Sequence, residues 1–359
     1  MKPPDPRPRS RVGTAAVAGL VAAASVVLGV VATGGSTAPR RLPAAGPAAF
    51  PAGQRLSGVV VAGSTAEETF GVWRGRPVQV VVGYVGTRTW EGVTQIAHQG
   101  LLTQRRAGVR RVYSVPLIPT DVGATLLHGA AGDYDSHFRA LAQELVSGGQ
   151  AEATLRIGWE MTGDWFAWSG VRDPVAWVDA YRHAVDAMRS VPGQHFAFDW
   201  TVALGAADPR PLFPGNDYVD LVGADVYDVS FSIKAGDHAA VWHQLLTEPY
   251  GLSWLAGFAA EHGKRIGFGE WGLEKRCDGH GGGDDPAFID AMRAWMDAHD
   301  VAYEAYFDTQ DKTICATFAF DGNTFPLAAA RYKSLFGGIT SPAASASSRF
   351  RAPDPRPGR

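Results

Sequence analysis

The chain has 359 residues, 46% of them hydrophobic and 19% charged, with a formal charge of −3. That apolar content is enough for a large core and excludes wholesale disorder. The near balance of charge removes the electrostatic reason to expect nucleic acid as a partner.

At the N-terminus, Lys2, Arg7, Arg9 and Arg11 precede an apolar run over residues 12–32, closed by Gly34, Gly35, Ser36 and Thr37. Positive residues, an apolar stretch and small residues form the pattern of a secretory signal. The run exceeds the usual h-region of ~7–15 residues and approaches the ~20 that span a bilayer. Residues 1–33 therefore read either as a cleaved signal or as a single retained membrane anchor. Both readings put the bulk of the protein outside the cytoplasm, secreted or held on the extracytoplasmic side. Residues 34–55, rich in Ala, Pro, Gly and Arg, read as a linker, and 338–359 as a disordered tail.

Between them, short apolar runs alternate with helical patterns. Strands are expected over 58–62, 78–84, 111–116, 154–160, 195–201, 219–227, 265–270 and 302–307. Helices are expected over 134–146, 174–188, 252–262, 286–298 and 326–336, and the 64–75 segment reads as an irregular return after the first strand. Eight strands separated by helices favour one (β/α)8 TIM barrel over 56–337, an α/β fold with a single catalytic domain. The nearly continuous apolar character of 154–158 and 219–224 suits strands buried on both faces. A monomer is expected.

In such barrels the chemistry sits at the C-terminal ends of the strands. Glu160 and Glu270 fall there on the fourth and seventh, and Asp199, Asp225, Tyr227 and Asp308 on the fifth, sixth and eighth. Two carboxylates on separate strands supply the acid/base and the nucleophile of glycosidic-bond cleavage. Of the 11 tryptophans, Trp159, Trp165, Trp168, Trp200 and Trp271 lie beside these acids, either as flat faces for sugar C–H bonds or as core. Arg156, at the same strand parity as Glu160, is placed to compensate charge lower in the barrel. Polysaccharide is thus the expected partner. No glycine fingerprint follows a strand and opens a helix, so no nucleotide cofactor is expected.

Cys277 and Cys315 are the only cysteines. They read either as a disulfide pinning one rim of the site in an oxidising compartment or as two unpaired thiols. The glycine-rich loop from Asp278 to Asp285 allows three readings. His280 with Asp278, Asp284 and Asp285 has the donor types for a metal, although the spacing matches no standard site and none is expected. The glycines allow close packing against a sugar chain, with His280 at a subsite. Alternatively, Asp284 or Asp285 caps the helix beginning at Pro286.

Three motifs, Gly158-Trp-Glu-Met-Thr-Gly-Asp-Trp-Phe-Ala-Trp168, Tyr218-Val-Asp-Leu-Val-Gly-Ala-Asp-Val-Tyr227 and Gly269-Glu-Trp-Gly-Leu273, resemble glycoside hydrolase family 26. The resemblance covers roughly residues 56–337, and it extends to a secreted actinobacterial branch in which Asp-Gly-His-Gly-Gly-Gly-Asp follows the second glutamate. It implies a retaining, endo-acting enzyme on β-linked polysaccharide, most often β-mannan. It further implies Glu160 as general acid/base, Glu270 as nucleophile, Tyr227 as the tyrosine touching the nucleophile and Trp165 as the aromatic following the acid. The family's mannanases carry His just before the acid and Asn two places after it. Trp159 and Thr162 stand at those positions here.

Overall fold

A computed structural model describes residues 50–338, apart from 61–65, 97–107, 122, 235 and 312–313. The expected leader at 1–33, the linker up to residue 49 and the tail beyond 338 lie outside these residues, as does the end of the 58–62 strand. The described chain opens with β1 (Leu56–Val60), α1 (Ala66–Arg74), β2 (Val80–Tyr84), α2 (Trp90–Thr94) and β3 (Arg110–Val115). It continues through α3 (Leu126–Ala130), α4 (Asp135–Ser147), β4 (Thr154–Ile157), α5 (Pro174–Arg189), β5 (Ala197–Ala203) and β6 (Leu221–Asp228). There follow α6 (His238–Thr247), α7 (Leu252–Glu261), β7 (Arg265–Leu273), β8 (Lys275–Arg276) and α8 (Pro286–Ala298). The last elements are β9 (Val301–Phe307), β10 (Gln310–Asp311), β11 (Ala316–Thr317) and α9 (Pro326–Phe336).

β1 to β7 and β9 form a closed barrel of parallel neighbours, shut by the pairing of β9 with β1. This is the expected (β/α)8 fold. Alternation along each strand splits the buried side chains into two sets. In β5, Phe198, Trp200 and Val202 pack outward with the helices, while Asp199 and Thr201 turn into the lumen. The lower lumen is apolar, filled by Val80, Val82, Val112, Tyr303 and Ala305. Phe50 closes it by stacking on Tyr303, with ring centres 5.1 Å apart. Higher up the lumen turns polar, and the site is built there.

The helices start where capping chemistry puts them. Asp173, Asp237 and Asp285 each accept a backbone N–H in the first turn of α5, α6 and α8, and Pro174 and Pro286 preset φ at the opening of α5 and α8. Losing such a cap costs about 1 kcal/mol.

The segment read as an irregular return is helix α1. It buries Glu67, Phe70, Gly71 and Arg74. Its carboxylate Glu67 pairs with Arg111 on the outer face of β3 at 2.6 and 3.1 Å. Arg74 donates to Ser57 Oγ at 2.9 Å.

β8, β10 and β11 form a small antiparallel sheet that follows the ends of β7 and β9. Cys277 and Cys315 flank it and are joined by a disulfide, with Cα atoms 5.7 Å apart. By loop entropy over their 38-residue separation, replacing both with serine is expected to cost about 3–4 kcal/mol. The check is the urea midpoint of wild type and variant; equal midpoints would count against the constraint.

Candidate active site

One arginine organises the upper lumen. Arg156, fully buried on β4, donates from Nη1 to Ser114 Oγ of β3 at 2.8 Å and to Glu270 Oε1 of β7 at 3.0 Å. Its Nε reaches Thr201 Oγ1 of β5 at 3.2 Å, and its Nη2 donates to Asp225 Oδ2 of β6. Below, Asp199 accepts from Thr201 Oγ1 at 2.9 Å and from the Tyr303 hydroxyl at 2.6 Å. Burial pushes Asp199 up to about 6 even with these donors and Arg156 opposing it. A single cation thus balances two buried carboxylates, and burial prevails at Asp225, whose pKa is raised well above the usual carboxylate range. Asp225 Oδ1 has no hydrogen-bond partner.

Glu270 reaches this cluster through an irregularity in β7. Gly223 pairs with Gly267, but Asp225 pairs with Glu270, so β7 carries one extra residue between them. The bulge turns Glu270 into the lumen and sends Trp271 outward among the helices. Gly269 lies within the bulge because a Cβ there would sit 2.3 Å from the Arg156 guanidinium. Glu270 is 5% exposed, and its second oxygen accepts from the Tyr227 hydroxyl at 2.7 Å. The Tyr84 hydroxyl, at the end of β2, is buried without a hydrogen bond, and the charge of Glu270 adds to burial in raising its pKa.

Glu160 lies beyond the strand expected to carry it. β4 stops at Ile157, and the backbone enters the left-handed region at Gly158 (φ 59°) and again at Glu160 (φ 54°). A glutamate in that region costs of order 1–3 kcal/mol and persists only where its surroundings fix it. Here the Glu160 N–H donates to Thr201 O at 2.9 Å. The half-buried side chain is held by Trp165, whose Nε1 donates to Oε2 at 2.8 Å. One carboxylate oxygen from each of Glu160, Asp225 and Glu270 lies within 4.8 Å of the others.

The two glutamates differ electrically. Burial, then the charge of Glu270, raises Glu160 to about 7, opposed by the Trp165 N–H and Arg156. Glu270 accepts two hydrogen bonds, one from the Arg156 guanidinium and one from the Tyr227 hydroxyl. The site thus sets a proton donor that works near neutrality opposite a carboxylate held by a guanidinium and a phenol.

The raised Glu160 predicts its own pH behaviour. Activity that needs its proton should fall as pH rises through about 7. The stability contribution of the protonated acid is present below the ordinary glutamate range and is lost as pH rises toward that value. Trp165→Phe removes a donor that lowers the pKa, so the alkaline limb of kcat/KM should move to higher pH. A limb unmoved in this variant would disconnect Trp165 from the acid.

Of the residues nominated as sugar faces, Trp165 is 57% exposed and is placed for stacking beside Glu160. Trp168, Trp200 and Trp271 are corrected to core. They are fully buried, and their N–H groups donate to Trp159 O, Leu212 O and Glu304 Oε2. Trp159 is also buried, at 4% exposure, against Tyr84, Phe166 and Trp168. Asp225 faces the lumen but is bound to Arg156. Asp308 accepts from Phe320 N at 2.8 Å and anchors that loop.

The Asp278–Asp285 loop divides its residues among separate tasks. Asp278 holds Arg276, Asp285 caps α8, and Asp284 accepts from Leu327 N and Ala328 N at the start of α9. His280 packs on Phe231 with Nδ1 3.2 Å from Ser230 O. Asp278, His280 and Asp284 are thus engaged apart from one another, while Asp285 keeps its second carboxylate oxygen turned toward His238. Tyr84, Ser114 and Thr201 were missed as site residues. Their signal was a polar group at lumen parity near the end of an apolar strand.

Comparison with known proteins gives a consistent picture. The family model for glycosyl hydrolase family 26 matches residues 137–256, a span that includes Glu160 and Tyr227. A mannan endo-1,4-beta-mannosidase of Bifidobacterium adolescentis is 25% identical over 222 residues, 57% of this chain and 21% of that protein. The chain therefore spans about a fifth of the length of that relative. Among solved structures, a GH26 beta-mannanase from Bacteroides ovatus has a TM-score of 0.54 at 14% identity, covering 78% of this chain and 88% of that one. Bacillus subtilis mannanase man26 has a TM-score of 0.53 at 16% identity, covering 79% and 86%. At such identities these two likenesses establish the fold.

Proposed function

We propose, from the premise that the chain belongs to glycosyl hydrolase family 26, that it is an exported, retaining, endo-acting glycosidase of β-linked polysaccharide, with β-mannan or glucomannan as the first substrate class. The observation that carries this reading is the pair of unequal carboxylates, Glu160 and Glu270, with oxygens within 4.8 Å across the barrel mouth. Retaining enzymes hold their two carboxyl groups ~5–5.5 Å apart, and inverting ones ~6.5–9.5 Å. So short an approach of their oxygens favours direct attack by Glu270 over attack by an interposed water.

In the first step Glu270 attacks the anomeric carbon while Glu160 gives its proton to the departing glycosidic oxygen. Arg156 and Tyr227 hold the attacking carboxylate in place. When the glycosyl–enzyme ester forms, the charge on Glu270 disappears, and with it one cause of the raised Glu160 pKa. Glu160 then takes a proton from water, which attacks the anomeric carbon from the side the leaving group left, breaks its bond to Glu270 and releases a product of unchanged anomeric configuration. Export is supported by the 1–33 pattern and by the disulfide, which persists in an oxidising compartment.

A second reading keeps the reaction and changes the glycan to a bacterial exopolysaccharide or envelope glycan. Two observations favour it. The Thr162 hydroxyl is tied to Ala203 N and O at 3.0 and 3.1 Å, and Trp159 is buried, so neither position offers a sugar-binding polar group. The test incubates wild type and Glu270→Ala with galactomannan, glucomannan, mixed-linkage glucan, xylan and envelope glycans, scoring new reducing ends. Cleavage of the mannans by wild type alone supports the first reading, and cleavage confined to another glycan the second. Binding without cleavage by folded wild type would favour an inactive binding barrel.

A further inference from the structure

We propose that Asp228, His238 and Asp285 form a binding site for one divalent transition-metal cation of the zinc class, outside the barrel lumen. Asp228 ends β6 on the opposite face from Asp225 and Tyr227. It is turned toward the starts of two helices, where His238 opens α6 and Asp285 caps α8. One donor atom from each residue lies within 4.8 Å of the other two.

Asp228 is 1% exposed, yet its Oδ2 has no hydrogen-bond partner. A buried carboxylate oxygen left unpaired is costly, and a cation at this point would remove the cost. Asp285 uses Oδ1 to cap α8, which leaves Oδ2 directed at the histidine. His238 Nδ1 is 2.8 Å from that oxygen, yet it too lacks a hydrogen bond of proper geometry. Three donors converge, and one of them, Asp228 Oδ2, has no protein partner.

The donor set is one imidazole nitrogen and two carboxylate oxygens, the mixture that suits zinc and neighbouring ions. With bonds of about 2.0–2.2 Å, such a cation holds adjacent donors roughly 3–3.5 Å apart. The His238–Asp285 separation of 2.8 Å is already near this, and the Asp228 oxygen lies within 4.8 Å of both. Gly282 lies directly against the site, because a Cβ there would meet Asp228 Oδ2 at 1.8 Å. The His238 side chain is 35% exposed, which leaves an entry path and room for water as a further ligand. A bound cation would tie the end of β6, one residue past Tyr227, to α6, α8 and the 278–285 loop.

The test uses the untagged full-length protein, stripped with EDTA and dialysed. Zinc, manganese and calcium chlorides are titrated in by calorimetry, and thermal unfolding is followed with each. The expected result is one zinc or manganese ion per chain, with the unfolding midpoint raised by roughly 3–5 °C. His238→Ala and Asp228→Asn, confirmed folded by circular dichroism, should each weaken binding at least tenfold, while Glu270→Gln leaves it unchanged. No heat and no midpoint shift with any ion would overturn the proposal. So would binding that survives His238→Ala but is lost in Glu270→Gln, which would put the ion in the lumen. Calcium binding indifferent to His238→Ala would overturn it as well.

Discussion

Glu270→Ala is expected to lower kcat by roughly 10⁴-fold or more, because it removes the group that forms the covalent intermediate. Azide should restore part of the cleavage of an activated aryl glycoside, since a small anion fits where the carboxylate was and needs no acid assistance. Azide would attack from the side Glu270 occupied, in a single displacement, so the glycosyl azide should have inverted configuration. In Glu160→Ala the glycosyl–enzyme still forms from an activated substrate, and azide intercepting it should give a retained product. The product configuration in the two variants therefore assigns the roles. Retained azide product from Glu270→Ala would mean that the roles are exchanged.

The second large effect concerns stability. Arg156→Met should destabilise the fold by about 3–5 kcal/mol, because it leaves Asp225 and Glu270 buried without their shared cation. The effect has a definite pH sign. Burial already raises the Asp225 pKa in the folded protein, so its ionisation disfavours the folded state once pH exceeds the ordinary aspartate range. Removing Arg156 raises that pKa further, so the penalty should grow from about pH 4 upward and shrink in acid. Unfolding midpoints of wild type and variant across that range check this. A penalty independent of pH would point to lost packing instead.

The barrel was legible because its signals are local. α8 and α9 occupy the spans expected of them, opening on Pro286 and Pro326. α5 and α7 differ by a residue at one end. α1 was missed for a physical reason: its buried positions 67, 70, 71 and 74 have helical spacing, but two are Glu67 and Arg74, whose ion pair and hydrogen bonds hide the apolar stripe. The end of β4 was misplaced because Ile157 and Trp159 read as alternating strand residues. The left-handed backbone at Gly158 and Glu160 depends on contacts with β3 and β5 that the local sequence does not announce.

The site was legible as a set of acids near strand ends, but less so as a set of aromatics. Trp200 stands between Asp199 and Thr201, so once those two face the lumen it must face the helices. Trp271 follows Glu270 and leaves the lumen for the same reason. Strand parity therefore held the information that residue type alone did not. The central position of Arg156 is a different case, since its partners lie 42 to 114 residues away in the chain and meet only when the barrel closes.

The central claim is that Glu160 and Glu270 act as a retaining pair, and its most direct test is proton NMR of the first product formed from whichever polysaccharide in the panel is cleaved. Spectra taken before mutarotation would show a newly formed β-anomer if the account is right, as direct attack across the observed spacing requires. An initial α-anomer would mean inversion, and would contradict the assignment of Glu270 as nucleophile.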